Sequence, residues 1–112
     1  MRQIVQGEQQ TFVIQLSRKQ DNVQFPFDLT GYTEIQVCFK SNTTIVEKDT
    51  SSDVTVVGPD TDGKIQAILQ VADTESFQTG KGDIEVVVTK PAGEVTKWQI
   101  PNSFQVSEAI CP

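Results

Sequence analysis

Between residues 32 and 40 apolar and polar side chains alternate: Ile35, Val37 and Phe39 share one parity, and Glu34, Gln36, Cys38 and Lys40 the other. Successive side chains of an extended chain point to opposite faces, so this parity predicts a strand with one buried and one outward face. The chain enters it through Asp28-Leu29-Thr30-Gly31, where Asp28 is placed to bond the backbone two residues on and Gly31 to take a positive φ. Ser41-Asn42-Thr43-Thr44 then predicts a hairpin turn, with residues 45–48 returning antiparallel.

The same period recurs along the chain. Phe12, Ile14 and Leu16 alternate within 10–17; Ile65, Ala67, Leu69 and Val71 within 64–71; Ile84, Val86 and Val88 within 83–89. Shorter extended stretches are expected at 3–6, 54–57 and 94–100, with Phe104 and Val106 closing the sheet. Residues 18–24 are polar around an Asp21-Asn22 turn and read as a connection between layers. Phe25-Pro26-Phe27 then runs extended, since the residue before a proline is driven out of the helical region. One helical turn is expected, capped by Asp73 and running through Ser76, with Phe77 dropping into the core and Gly80 and Gly82 ending it.

This makes about eight short strands spaced about 8–12 residues apart, with no crossover helices. The expected fold is a single all-β domain over 1–112, an antiparallel β-sandwich or small barrel. Composition agrees, because Val, Ile, Thr and Phe are plentiful while Ala, Leu and Met are scarce.

Charge narrows the partners. Nine basic against fifteen acidic residues leave a net charge of -6, which repels a phosphate backbone unless a basic patch intervenes, and the lysines fall singly at strand ends and turns. No nucleic-acid partner is expected. No apolar run reaches the ~20 residues of a membrane span, and residues 1–6 lack the apolar core of a secretory signal, so no membrane partner and synthesis in the cytoplasm are expected.

Histidine is absent, which removes the commonest general base and metal ligand. No Ser-x-x-Lys motif occurs, and Gly80-Lys81-Gly82 lacks the strand-to-helix setting of a phosphate loop, so no enzyme activity and no cofactor are expected. Asp60-Thr61-Asp62-Gly63 matches the start of a calcium loop, with Asp53 as a further candidate ligand. The later bidentate glutamate is missing, and a hairpin turn explains the same residues. Cys38 and Cys111 have no metal-ligand spacing and are read either as two free thiols or as a bridge that folds the C-terminus across the outward face.

Trp98 and Tyr32 are the single members of their kinds; either could be a stacking platform for a sugar ring or a strand residue covering the core. Glutamines populate many outward strand positions. Uncharged polar faces are buried in subunit contacts at lower cost than charged ones, which marks Glu34, Gln36, Cys38 and Lys40, with Trp98, as a candidate interface.

The strand pattern resembles the N-terminal immunoglobulin-like β-sandwich domain of phage baseplate upper proteins and related tail-fibre attachment domains. The resemblance is carried by Phe12-Val13-Ile14-Gln15-Leu16, by Asp28-Leu29-Thr30-Gly31 with Ile35-Gln36-Val37-Cys38-Phe39-Lys40, by residues 63–69, and by Gly80-Lys81-Gly82-Asp83-Ile84-Glu85-Val86. It implies an immunoglobulin-like sandwich and a non-enzymatic structural module of a phage or prophage virion, in its tail, baseplate or fibre adaptor. Its partners would be copies of itself and other virion proteins. The resemblance concerns framework positions, so no site residues carry over. The alternative expectation is a small module that binds carbohydrate or a surface ligand, which requires Trp98 or Tyr32 to be exposed.

Overall fold

In the computed structural model, which describes residues 1–110, the chain is mostly β, with 62% strand and one short helix. Ten strands follow one another: β1 (Arg2–Val5), β2 (Gln10–Gln15), β3 (Ser17–Gln20), β4 (Val23–Pro26), β5 (Glu34–Ser41), β6 (Thr44–Asp49), β7 (Val54–Val56), β8 (Lys64–Leu69), β9 (Gly80–Lys90) and β10 (Glu94–Ser107). A single short helix, α1 (Val71–Glu75), joins β8 to β9.

β5 forms as its parity requires: Ile35, Val37 and Phe39 are fully buried, whereas Gln36 and Cys38 are half-exposed and Glu34 and Lys40 exposed. Its entry turn is also as expected. The amide of Thr30 donates to Asp28 Oδ1 at 2.9 Å, the amide of Tyr32 donates to the Leu29 carbonyl at 3.1 Å, and Gly31 has φ 79°.

β5 lies between β6 and β9 in a five-stranded sheet of order β1-β10-β9-β5-β6, which curls into a half-barrel. A three-stranded sheet, β2-β8-β7, and the two-stranded β3–β4 ribbon complete the fold. The ten strands pair antiparallel except at one edge, where β1 runs parallel to β10 with Ile4 opposite Val106. The expectation of a wholly antiparallel sheet therefore fails at β1, because the chain's first strand reaches the sheet beside its last.

The inner faces of the two larger sheets meet in one core. Phe12 of β2 packs on Phe39 of β5 with ring centroids 5.2 Å apart, and Phe77, just after α1, stacks on Phe104 of β10 at 5.5 Å. Ile14, Ile65, Ala67, Leu69, Ile84, Val86 and Val88 fill the space between.

Four local expectations are corrected. The polar segment 18–24 is no plain connection: β3 and β4 pair antiparallel across Asp21 and Asn22, whose φ values of 51° and 64° suit a tight two-residue hairpin turn. Val71 does not extend β8 inward but opens α1 and is exposed. Asp73 is not the cap of that helix; Gln70 is, and Asp73 closes a reciprocal capping box from the third helical position. Gly80 and Gly82 do not end the helical excursion but belong to β9.

Two polar clusters tie α1 down. Thr74 is fully buried; its hydroxyl donates to the Glu8 carbonyl at 2.8 Å and accepts from the Gly7 amide at 3.0 Å, fixing the turn between β1 and β2. Lys48 of β6 reaches Asp53 at 3.0 Å and Asp73 at 2.7 Å, so one ammonium joins an edge strand, the approach to β7 and the helix.

One irregularity shapes the outer surface. β10 pairs with β9 in register from Glu94 to Ile100, then shifts, so that Ile100 faces Ile84 and Phe104 faces Gly82. The extra residues of β10 bulge at Pro101 and Asn102, where Asn102 takes φ 51° and its amide donates to Asp83 Oδ1 at 2.8 Å.

Candidate interaction face

The outward face of the five-stranded sheet is built from side chains that register places side by side. Cys38 lies between Glu47 of β6 and Glu85 of β9; one step along, Lys40 lies between Ile45 and Asp83. Gln99 of β10 extends the first row beyond Glu85. Gln36 Nε2 donates to Glu47 Oε1 at 2.9 Å, and Gln99 Nε2 donates to Glu85 Oε2 at 3.0 Å. The amides thus hold the carboxylates in fixed positions across the strands.

Where β10 bulges away, these rows border a concavity of about 490 Å³ lined by Cys38, Ile45, Glu47, Glu85, Gln99 and Pro101, among others. Its chemistry is mixed. Ile45 is 60% exposed beside it and Pro101 adds apolar surface at the bulge, while Glu47, Asp83 and Glu85 make it acidic with Lys40 as the lining cation. Burial pushes the Cys38 thiol pKa up, and the neighbouring Glu47 and Glu85 carboxylates push it further the same way. Cys38 is accordingly held as a neutral thiol, a weak nucleophile and a small apolar surface element. Such a face suits a partner that brings a cation next to an apolar side chain.

Glu34, Gln36, Cys38 and Lys40 are therefore brought together on one face, as their common parity requires. Trp98 is not with them. It sits opposite Val86 on the inner side of the sheet, where its ring meets Phe27 edge-on at 4.8 Å and its Nε1 donates to the Ser17 carbonyl at 3.0 Å. Both Trp98 and Tyr32 are half-buried against the core. The polar neighbours Lys97 and Gln99 concealed this orientation in the sequence, although strand parity contains it.

The aspartates considered for calcium are dispersed in their bonding. Asp53 accepts from Lys48 Nζ and from Gln70 Nε2 at 3.2 Å, while Asp60 and Asp62 lie in a 3-10 turn closed by Gly63. Among the described residues no three His, Cys, Asp or Glu side chains are placed to share a metal ion. The pairing of Cys38 with Cys111 lies outside the described residues. Among the described residues no helix is long and apolar enough to cross a membrane.

A second surface feature was not anticipated. On the β3–β4 ribbon, Val23 and Phe25 point to one face and are 52% and 47% exposed. Arg18 and Gln20, opposite them in register, share that face. Arg18 and Lys90 both approach the Phe27 ring, at 5.7 and 5.1 Å from its centroid. The one sequence signal for this feature was the Asp21-Asn22 pair.

Searches against models of protein families and against curated proteins return no match for this sequence.

Proposed function

We propose that the chain is a non-enzymatic structural protein of a phage or prophage particle, an immunoglobulin-like tail, baseplate or fibre-adaptor module, which assembles with itself or with other virion proteins. The observation that carries this reading is the outer face of the five-stranded sheet. There, amides and a neutral thiol alternate with carboxylates that are already hydrogen-bonded, beside a concavity with exposed apolar walls. Covering such a face leaves the amide–carboxylate hydrogen bonds in place, and its carboxylates call for a cation from the partner to offset their desolvation. The framework resemblance at 28–40 and 80–86 supplies the particle context and the virion as location.

Size-exclusion chromatography with light scattering tests the reading. The expected result is a species heavier than the 12.4 kDa chain, with a mass that rises with concentration. A 12.4 kDa species at every concentration that is retained on immobilised glycan would overturn it in favour of a carbohydrate-binding module.

A further inference from the structure

We infer that the β3–β4 ribbon of one copy docks into the outer-face concavity of a second copy, head to tail. The inference deepens the assembly reading above, on which it rests, by naming both halves of the contact.

The ribbon is an unusual element to leave bare. Two-stranded ribbons are marginally stable alone, and every residue of β4 is exposed, including Val23 and Phe25. Its exposed face combines those two apolar side chains with Arg18, and Lys90 stands close by over Phe27. The chain as a whole carries a charge of -6, whereas the ribbon carries Arg18 and Lys19 against Asp21 and has Lys90 and Asp28 beside it, so this apolar knob is locally basic by one charge.

The concavity has the complementary composition. Ile45 and Pro101 supply apolar surface, and Glu47, Asp83 and Glu85 outnumber Lys40 and make it negative. At about 490 Å³ it has room for a phenylalanine side chain and a guanidinium together. Placing Arg18 beside Glu47 and Glu85 would pair an exposed guanidinium with an exposed and a half-buried carboxylate, with Phe25 against Ile45 and Pro101.

A copy cannot fill its own concavity. The ribbon lies at the Lys90 end of β9 and on the inner side, where Ser17 meets Trp98; the concavity lies at the Asp83 end and on the outer side. Lys90 and Asp83 are about 23 Å apart along β9 at about 3.3 Å per residue. Because the two surfaces differ and face opposite ways, the contact is heterologous and propagates from copy to copy, closing as a ring or continuing as a filament.

Sedimentation and light scattering at low ionic strength on four chains test this: wild type, Phe25→Ser, Arg18→Glu, and the charge-swapped pair Arg18→Glu with Glu85→Lys. Circular dichroism verifies that each is folded. Each single variant is expected to raise the dissociation constant about tenfold or more, and the charge-swapped pair to recover most of that loss. Single variants that assemble like wild type, or a charge-swapped pair no better than Arg18→Glu alone, would overturn the inference. If in that case Gln36→Lys still disperses the assembly, the assembly reading stands without it. A wild type that is monomeric at every concentration would overturn the inference, and one that is also retained on immobilised glycan would overturn the reading on which it rests.

Discussion

The ring of Phe104 fills the space that a side chain at position 82 would need: a methyl group on Gly82 would stand 2.1 Å from Phe104 Cε2 and Cζ. Phe104 is fully buried and its ring stacks on Phe77, so it has no room to retreat. Gly82 is not among the glycines with positive φ, and the cost of substitution is therefore steric. Gly82→Ala is expected to destabilise the fold by about 2–3 kcal/mol, at the upper end of overpacking effects. Chemical denaturation measures this, and a loss below about 0.5 kcal/mol would mean that β10 can shift its register to accommodate the methyl.

This contact also shows what the sequence leaves unreadable. The parity of Ile35, Val37 and Phe39, of Ile65, Ala67 and Leu69, and of Ile84, Val86 and Val88 is a local property of the backbone, and all nine side chains are buried as that parity requires. That Gly82 lies in a strand, and not at the end of a helix, depends on Phe104, which is distant in sequence. The β3–β4 ribbon escaped for another reason. Its strands bury no face, β3 is wholly polar and β4 is only four residues long, so the turn between them gave the one clear signal. Of the interface residues named from sequence, four share a parity and one face; Trp98 lies on the other because its strand pairs it with Val86.

Lys48 is a further case. It faces Val37 across the strand pair, so parity turns an ammonium toward the core side, where its side chain is only 11% exposed. Asp53 and Asp73 make that position tolerable, and both come from elsewhere in the fold. Lys48→Met is expected to cost about 2–3 kcal/mol, since it leaves two neighbouring carboxylates without their cation; the partial exposure of those carboxylates keeps the loss below that of a fully buried pair. Adding Asp53→Asn and Asp73→Asn to Lys48→Met should return part of the loss. A triple variant no more stable than Lys48→Met would show that charge is not the cause.

The same cluster sets a pH dependence. The hydrogen bond from Lys48 holds the Asp53 carboxyl below its ordinary 3.8, so its contribution is present above that value and is lost as pH falls through the lower folded-state value. Burial alone would lower the Lys48 pKa, but bonds to Asp73 and Asp53 outweigh it and raise the pKa above 10.5; that contribution is present below 10.5 and is lost as pH rises beyond it. Melting temperature should therefore fall more steeply below about pH 4 in wild type than in Lys48→Met, where the Asp53 bond is already gone. Parallel acid limbs would contradict the assignment.

Cys38 offers a chemical probe of the outer face. Burial and the flanking Glu47 and Glu85 raise its thiol pKa, so in a Cys111→Ser background alkylation by iodoacetamide near pH 8 should be slower than for a free cysteine. Replacing Glu47 and Glu85 by glutamine should speed it several-fold, because both neighbouring negative charges are removed while burial remains. Unchanged rates would mean that access to the thiol, and not its ionisation, controls the reaction.

The central claim is that the outward face of β5 is where copies meet, and Gln36 lies on that face beside Glu47 without contributing to the core. Gln36→Lys introduces a charge there at a position that tolerates it in the free chain. Sedimentation velocity of Gln36→Lys beside wild type, with circular dichroism on both, is the most direct measurement. The account predicts that wild type sediments as an assembly and the variant as a folded 12.4 kDa monomer, whereas a folded variant that assembles like wild type would contradict it.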